Sequence, residues 1–142
     1  MRVVLDTNVL YAGIRSSQGA SYVILELVEE EKIEPVITPA LFLEYEERLR
    51  GDPELQALGF SDQELADFLD EFAAKSYRVS VDVRWRPVSP DPDDDMVIEC
   101  AVNGRAELLV SFNIRDLAPA QDLFGITVLT PRAFLTYFGR KS

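Results

Sequence analysis

The segment Val3-Val4-Leu5-Asp6-Thr7-Asn8-Val9-Leu10 decides how the chain folds. Three apolar residues in a row, two of them β-branched, read as a strand buried on both faces, as in the middle of a parallel sheet. An Asp directly at the end of such a strand stands where open α/β sheets hold their ligands, outside the carboxyl ends of the strands. Asp6 is therefore the first candidate site residue. The alternative is that Asp6, Thr7 or Asn8 only caps the helix that follows, a role short polar side chains fill well. This segment alone leaves both readings open, and the rest of the chain has to separate them.

Outward from this strand, apolar runs alternate with helical periodicity. Asn8 to Arg15 reads as a short helix ending at the polar break Ser16-Ser17-Gln18-Gly19, and Ala20 to Lys32 as an amphipathic helix with an acidic tail. Ile33 to Thr38 is a short strand. Thr38-Pro39 opens a helix running to about Arg50, with proline in the first turn where its missing N–H costs nothing. Residues 51–60 read as a loop or turn, and Ser61-Asp62-Gln63-Glu64 as a capping box heading another amphipathic helix. Val79 to Val83 alternates like a half-exposed strand, and Arg84-Trp85-Arg86-Pro87 leads into the acidic segment Asp91-Pro92-Asp93-Asp94-Asp95. Met96 to Val102 is helical and Gly104 ends it. Leu108 to Val110 and Ile126 to Leu129 are further strands, and Thr130-Pro131 starts a closing helix through Phe138. This order predicts a three-layer α/β/α fold with a mainly parallel central sheet and right-handed crossovers.

With 142 residues, 47% of them hydrophobic, the expectation is a single domain spanning 1–142 with its own core. No stretch approaches the roughly 20 apolar residues of a membrane span, and the N-terminus lacks a signal-peptide pattern, so a cytoplasmic protein without membrane contact is expected. Cys100 is the only cysteine and sits in an apolar helical pattern, where it reads as a small core residue. Histidine is absent, which excludes Ser-His-Asp and Cys-His chemistry and imidazole-ligated metals. Carboxylates are left to carry any chemistry. With 25 acidic against 14 basic residues, the formal charge of −11 argues against a generic electrostatic grip on nucleic acid. Metal ions at a local site can reverse that sign.

The predicted topology gathers acids at one rim of the sheet. Asp6 ends the first strand, Asp93, Asp94 and Asp95 begin a helix, and Asn113 and Asp116 follow the Leu108–Val110 strand. Carboxylates held close together repel unless a cation neutralises them. Oxygen ligands without His or Cys suit Mg²⁺ or Mn²⁺, ions that keep waters and bridge to phosphate. The implied chemistry is metal-assisted phosphodiester hydrolysis, with in-line attack by an activated water. Asp91, Asp93 and Asp94 serve equally well as helix caps and dipole complements. Asp95 heads the apolar-packed part of its helix, which fixes its direction. Glu44, Glu46 and Glu47 can all belong to one solvated helix face, or Glu44 can be a ligand.

In this order, Val3-Val4-Leu5-Asp6-Thr7-Asn8-Val9-Leu10, Pro39-Ala40-Leu41-Phe42-Leu43-Glu44-Tyr45-Glu46-Glu47-Arg48-Leu49, Asp91-Pro92-Asp93-Asp94-Asp95 and Leu109-Val110-Ser111-Phe112-Asn113-Ile114-Arg115-Asp116-Leu117 resemble the PIN-domain nucleases. The match is nearest to the branch of toxin components of toxin–antitoxin pairs. It extends over Leu58-Gly59-Phe60-Ser61 and Leu129-Thr130-Pro131-Arg132-Ala133-Phe134-Leu135. The resemblance implies a PIN-like fold and a Mg²⁺- or Mn²⁺-dependent endoribonuclease, and a site at a sheet rim favours single-stranded RNA, whose flexible chain can bend into it. It further implies that the protein forms a homodimer and is held inactive by a cognate antitoxin. Carried over residue by residue, Asp6, Glu44 and Asp95 match the family's acids, and Asn8 and Ser111 its supporting polar positions. The fourth acid is where the sequence departs: Asn113 occupies the place of the usual acid, and Asp116 stands slightly further on. Two other classes share parts of the pattern. A phosphoacceptor domain of the response-regulator kind needs an acidic pair near the first strand and a late lysine, and Lys32, Lys75 and Lys141 are wrongly placed for that. A non-catalytic PIN-like protein-binding module draws on Asn113.

Overall fold

The structure, a computed structural model, describes residues 1–80 and 92–141. Among the described residues five strands form one sheet: β1 (Arg2–Leu5), β2 (Glu34–Ile37), β3 (Tyr77–Arg78), β4 (Leu108–Val110) and β5 (Thr127–Leu129). Their order is β3-β2-β1-β4-β5, and every neighbouring pair is parallel. Between β1 and β2 lie α1 (Thr7–Arg15) and α2 (Ala20–Glu29). Between β2 and β3 lie α3 (Pro39–Leu49), α4 (Pro53–Ala57) and α5 (Asp62–Ala74). Next come α6 (Pro92–Asn103) before β4, α7 (Ile114–Phe124) before β5, and α8 (Pro131–Lys141) at the end. This is the expected three-layer α/β/α arrangement.

The central strand is the one its sequence marks. Val3, Val4 and Leu5 are fully buried, as are Leu109 and Val110 on the neighbouring β4. Val3, Val4 and Leu5 pair in register with Leu108, Leu109 and Val110. Because β1 leads away to β2 on one side and β4 to β5 on the other, the chain reverses its winding direction between β1 and β4. In open α/β sheets that reversal opens a crevice at the carboxyl ends of the two strands.

Local chemistry sets the helix starts. Thr38 Oγ1 accepts from the Leu41 N–H at 3.2 Å, with Pro39 in the first turn. Ser61 and Glu64 form both halves of the expected capping box, each bond 3.1 Å. Thr130 caps the last helix through the Ala133 N–H at 3.2 Å. At the far end of α6, a Cβ on Gly104 would lie 2.2 Å from Val36 Cγ1, so that turn packs directly on β2. Gly125 ends α7 in the left-handed region at φ 68°, where glycine carries no Cβ penalty.

Four expectations are corrected. A two-residue strand, β3, stands at Tyr77–Arg78 ahead of the strand expected at 79–83, of which 79 and 80 are not in a strand and 81–83 lie outside the described residues. Both β3 side chains are exposed, so no burial pattern advertised it. The 51–60 stretch contains α4, started by Asp52 Oδ2 accepting from the Leu55 N–H at 3.1 Å. The helix expected at Met96 to Val102 extends from Pro92 to Asn103, taking the acidic segment into its first turns. Between Asn113 and β5 stands a helix the periodicity did not single out, α7, which continues past Pro119 despite the lost N–H. Arg84 to Pro87 and Asp91 lie outside the described residues.

Candidate functional site

Asp6 follows β1 directly and is 8% exposed. Its backbone N–H continues the ladder to the Val110 carbonyl of β4 at 2.9 Å, which ties the ends of the two strands together. The capping reading is realised, and the second carboxylate oxygen is engaged as well. Oδ1 accepts from the Thr7 N–H at 2.8 Å, capping α1, while Oδ2 accepts from the Ser111 hydroxyl across the crevice at 2.6 Å. The positive end of α1 complements a negative charge at this position.

Ser111, fully buried at the end of β4, uses its whole hydrogen-bonding capacity there. It donates to Asp6, accepts from the Asn113 N–H at 2.9 Å and accepts a long bond from Asn8 Nδ2 at 3.4 Å. A hydroxyl has one donor and two acceptor positions, so its direction is fixed. Asn8 in turn accepts from the Phe112 N–H at 3.4 Å. Asp6, Asn8, Ser111 and the backbone of Asn113 therefore form one connected group.

The other candidates stand on α3, α6 and α7. Tyr45 of α3 is fully buried and donates its hydroxyl to the Leu5 carbonyl at 2.6 Å, so α3 is fastened to the last residue of β1. Burial pushes the Tyr45 hydroxyl well above its usual pKa, and its electrostatic interaction with the nearby Cys100 and Asp6 adds to the effect. It remains a neutral donor. Glu44, the preceding residue, is half-buried on this helix. Glu46 pairs with Arg50 at 3.8 Å, and Glu47 is exposed. Of the three glutamates only Glu47 is exposed, Glu46 being half-buried like Glu44.

On α6, Asp95 is buried, and so are Asp94 and Glu99. The burial of Glu99 was not legible, because it stands inside an apolar run and only tertiary packing decides which face of that helix turns inward. The helix packs against β1, β2, α3 and α7. Asp116 is half-buried in the first turn of α7. Asn113 is exposed in the N-cap position of α7, and its side chain makes no capping bond. Cys100 is a core residue as expected: its thiol lies 3.3 Å from the Val36 carbonyl, and burial pushes it up to about 12.

Among the described residues, no group of three or more Asp, Glu, His or Cys side chains is disposed to hold a metal ion. The donors at the rim are all oxygen, the type that suits Mg²⁺ and Mn²⁺. Mg²⁺ is commonly held by one or two carboxylates, with waters and substrate phosphate completing its shell. The rim fits that mode rather than an all-protein cage. Two sizeable cavities lie elsewhere. One of about 410 Å³ opens at the ends of β2 and β3, beside Thr38, Phe42 and Arg78. Another of about 390 Å³ lies among α1, α2 and α5, floored by Leu25, Phe68 and Phe72. Neither is lined by Asp6.

Residues 2–115 match the family model of the PIN domain. The chain belongs to the PIN domain family. No curated protein matches it. Among solved structures it is similar to a chain of VapBC2 from Rickettsia felis, crystallised with a DNA fragment from their promoter. The two share 14% identity with a TM-score of 0.60, covering 92% of this chain and 98% of that one. That likeness establishes the fold, and the family match covers the strand ends carrying Asp6 and Ser111. Among the described residues of this PIN domain, no helix is long and apolar enough to cross a membrane.

Proposed function

We propose that this PIN domain is a metal-dependent endoribonuclease that hydrolyses phosphodiester bonds of single-stranded RNA, and that it is the toxin of a toxin–antitoxin pair. The carrying observation is the buried Asp6 carboxylate at the crevice between β1 and β4, aimed by the Ser111 hydroxyl at 2.6 Å. In this reading Asp6, Glu44, Asp95 and Asp116 hold Mg²⁺ or Mn²⁺, and Asn8, Ser111 and Asn113 support them. The cation, when bound, neutralises charge developing on the scissile phosphate and lowers the pKa of water. Ser111 and the Thr7 N–H hold the Asp6 carboxylate in one orientation before any ligand arrives, which removes a reorganisation cost at the reaction. Tyr45 keeps α3, and with it Glu44, fastened to the end of β1.

Single strands are the preferred substrate because a flexible chain can bend a scissile phosphate into a crevice at a sheet rim. The protein pairs with itself as a homodimer and with an antitoxin. A basic side chain of the antitoxin, inserted among Asp6, Glu44 and Asp95, replaces the metal's positive charge and silences the site. The net charge of −11 suits such a partner, and the fold neighbour, solved as VapBC2 with DNA from their promoter, supports the pairing.

Purified protein should cleave single-stranded RNA with Mg²⁺ or Mn²⁺ and fall silent in EDTA. Asp6→Asn should lower the rate roughly a hundredfold or more, the effect of a few kcal/mol of lost transition-state stabilisation. Cleavage that persists in EDTA refutes the metal mechanism. A rival reading, a non-catalytic binding module, is favoured by Asn113 standing in place of an acid and by the absence of a three-acid group among the described residues. Metal-dependent cleavage abolished in Asp6→Asn excludes it.

A further inference from the structure

We propose that Phe112 is a stacking platform for a nucleobase of the strand bound at the rim, directly beside the Asp6 carboxylate. The proposal rests on the nuclease reading above and names how that site grips its substrate.

Phe112 lies in the middle of the three-residue connection between Val110, the end of β4, and Ile114, the start of α7. Its neighbours are tied down. Ser111 is fully buried and bonded to Asp6, and the Asn113 N–H is bonded back to Ser111 Oγ. The Phe112 N–H itself points to Asn8 Oδ1 at 3.4 Å. The backbone that carries this ring is therefore positioned by the groups that orient the candidate catalytic carboxylate, and yet Phe112 is 54% exposed.

A single exposed apolar residue means little by itself. Exposure sets this ring apart: among the described residues the other exposed aromatics are Tyr77 at 37% and Tyr22 at 36%, while Phe42 and Phe60 pack against the core. Tyr45 packs on Phe72, Phe68 on Phe72 and Phe134 on Phe138, while Tyr11 lies under Arg48 and Tyr77 under Arg2. Among the described residues Phe112 takes part in no such ring or cation contact.

Charge supplies the second argument. A chain of net −11 repels a polyanion at long range, so affinity has to come from contacts that do not depend on overall charge. Base stacking on an aromatic ring is such a contact, and it tolerates any sequence because every base offers a π-face. Bases within a duplex are already stacked, so a platform at the rim also selects single strands. Arg115, exposed in the first turn of α7 three residues after Phe112 and in no ion pair among the described residues, adds one cation for a phosphate.

The test uses short single-stranded RNAs carrying 2-aminopurine, whose fluorescence is quenched on stacking, with an abasic nucleotide moved through each position in turn. Binding is read in the Asp6→Asn background and cleavage in the otherwise unaltered protein. Wild type should quench the probe at one position, and an abasic residue there should cost about tenfold in affinity. Phe112→Leu should lose the quenching, bind about tenfold more weakly and become indifferent to that abasic residue. Phe112→Trp should restore both signals. The side chain is exposed, so the melting temperature should not change. Unaltered affinity in Phe112→Leu, or an abasic penalty that survives it, overturns the stacking while the nuclease reading stands. Wild-type protein that neither binds nor cleaves single-stranded RNA overturns both.

Discussion

Two groups of acidic side chains in this PIN domain are held in opposite ways. Near the surface, Asp52 and Glu54 at the start of α4 lie against Arg48 at 2.9 Å and Arg15 at 3.0 Å. The Tyr11 hydroxyl stands 2.8 Å from Asp52 Oδ2 and 2.9 Å from Glu54 Oε2, and the Arg48 guanidinium covers the Tyr11 ring at 3.6 Å. This latch ties α1, α3 and α4 together, and each acid has a cation beside it. At the rim, Asp6 is buried, and its two oxygens accept from a peptide N–H and from the Ser111 hydroxyl. Acids matched with arginines in water do structural work of modest value. A carboxylate buried at the winding reversal of the sheet stands where open α/β sheets hold their ligands, and the proposed function assigns it to that use.

Asp116 tests that division most severely, because it can belong to either kind. As a fourth ligand it joins the rim; as a first-turn acid on α7 it merely complements the helix dipole. We expect Asp116→Asn to weaken Mn²⁺ affinity and to lower cleavage by roughly a hundredfold, with Asn113→Asp tightening metal binding. Mn²⁺ titrations of wild type, Asp116→Asn and Asn113→Ala, each checked for folding, decide the matter. Unchanged metal affinity in Asp116→Asn, with a damaged Asn113→Ala, moves the ligand to the asparagine.

Ser111 comes next in size. Ser111→Ala removes the donor to Asp6 and leaves buried polar groups unpaired, at about 1–3 kcal/mol of stability. It should also cost about tenfold in cleavage, since Asp6 loses its fixed direction. Ser111→Thr, which retains the hydroxyl, should recover most of the rate. Denaturant melts read beside initial rates separate the two effects, and a rate loss that Ser111→Thr does not relieve would sink the orienting role.

The contrast also explains how much the sequence could disclose. Apolar runs at Val3–Leu5 and Leu108–Val110 declare buried strands, because burial on both faces leaves no alternation to misread. Asp6 follows from the first run, since a strand's carboxyl end is a place in the fold as well as in the chain. Short polar residues at Thr38, Ser61 and Thr130 act locally, so the helix starts were legible too. The β3 strand has two exposed side chains and exists only because β2 offers an edge to pair with. The inward turn of Glu99 depends on how α6 settles on the sheet. The latch was invisible for the same reason: Tyr11 and Asp52 are separated by 41 positions, and neither carries a local signal for the other.

The latch itself should give the smallest effect, and its pH dependence has a definite sign. At Asp52 partial desolvation opposes ionisation, but the bonds from Tyr11, the Leu55 N–H and Arg48 outweigh it and hold the carboxyl below its ordinary value. At Glu54 the bonds from Tyr11 and then Arg15 do the same. A carboxyl whose folded pKa is depressed binds its proton more readily in the unfolded chain. The stability it contributes is thus present above its unfolded pKa, 3.8 for Asp52 and 4.5 for Glu54, and is lost as pH falls through the lower folded values. Arg48→Ala should therefore cost a little stability at pH 7 and flatten the loss seen on acidification below about pH 4.5, while leaving RNA cleavage at the wild-type rate. Salt should weaken the wild-type latch in the same direction, because these charges are exposed. Melting curves between pH 3 and 7, with cleavage assayed at neutral pH, give both readouts. A cleavage defect in Arg48→Ala that matches the Ser111→Ala defect would erase the distinction between the two acidic groups, since the latch would then be serving the rim.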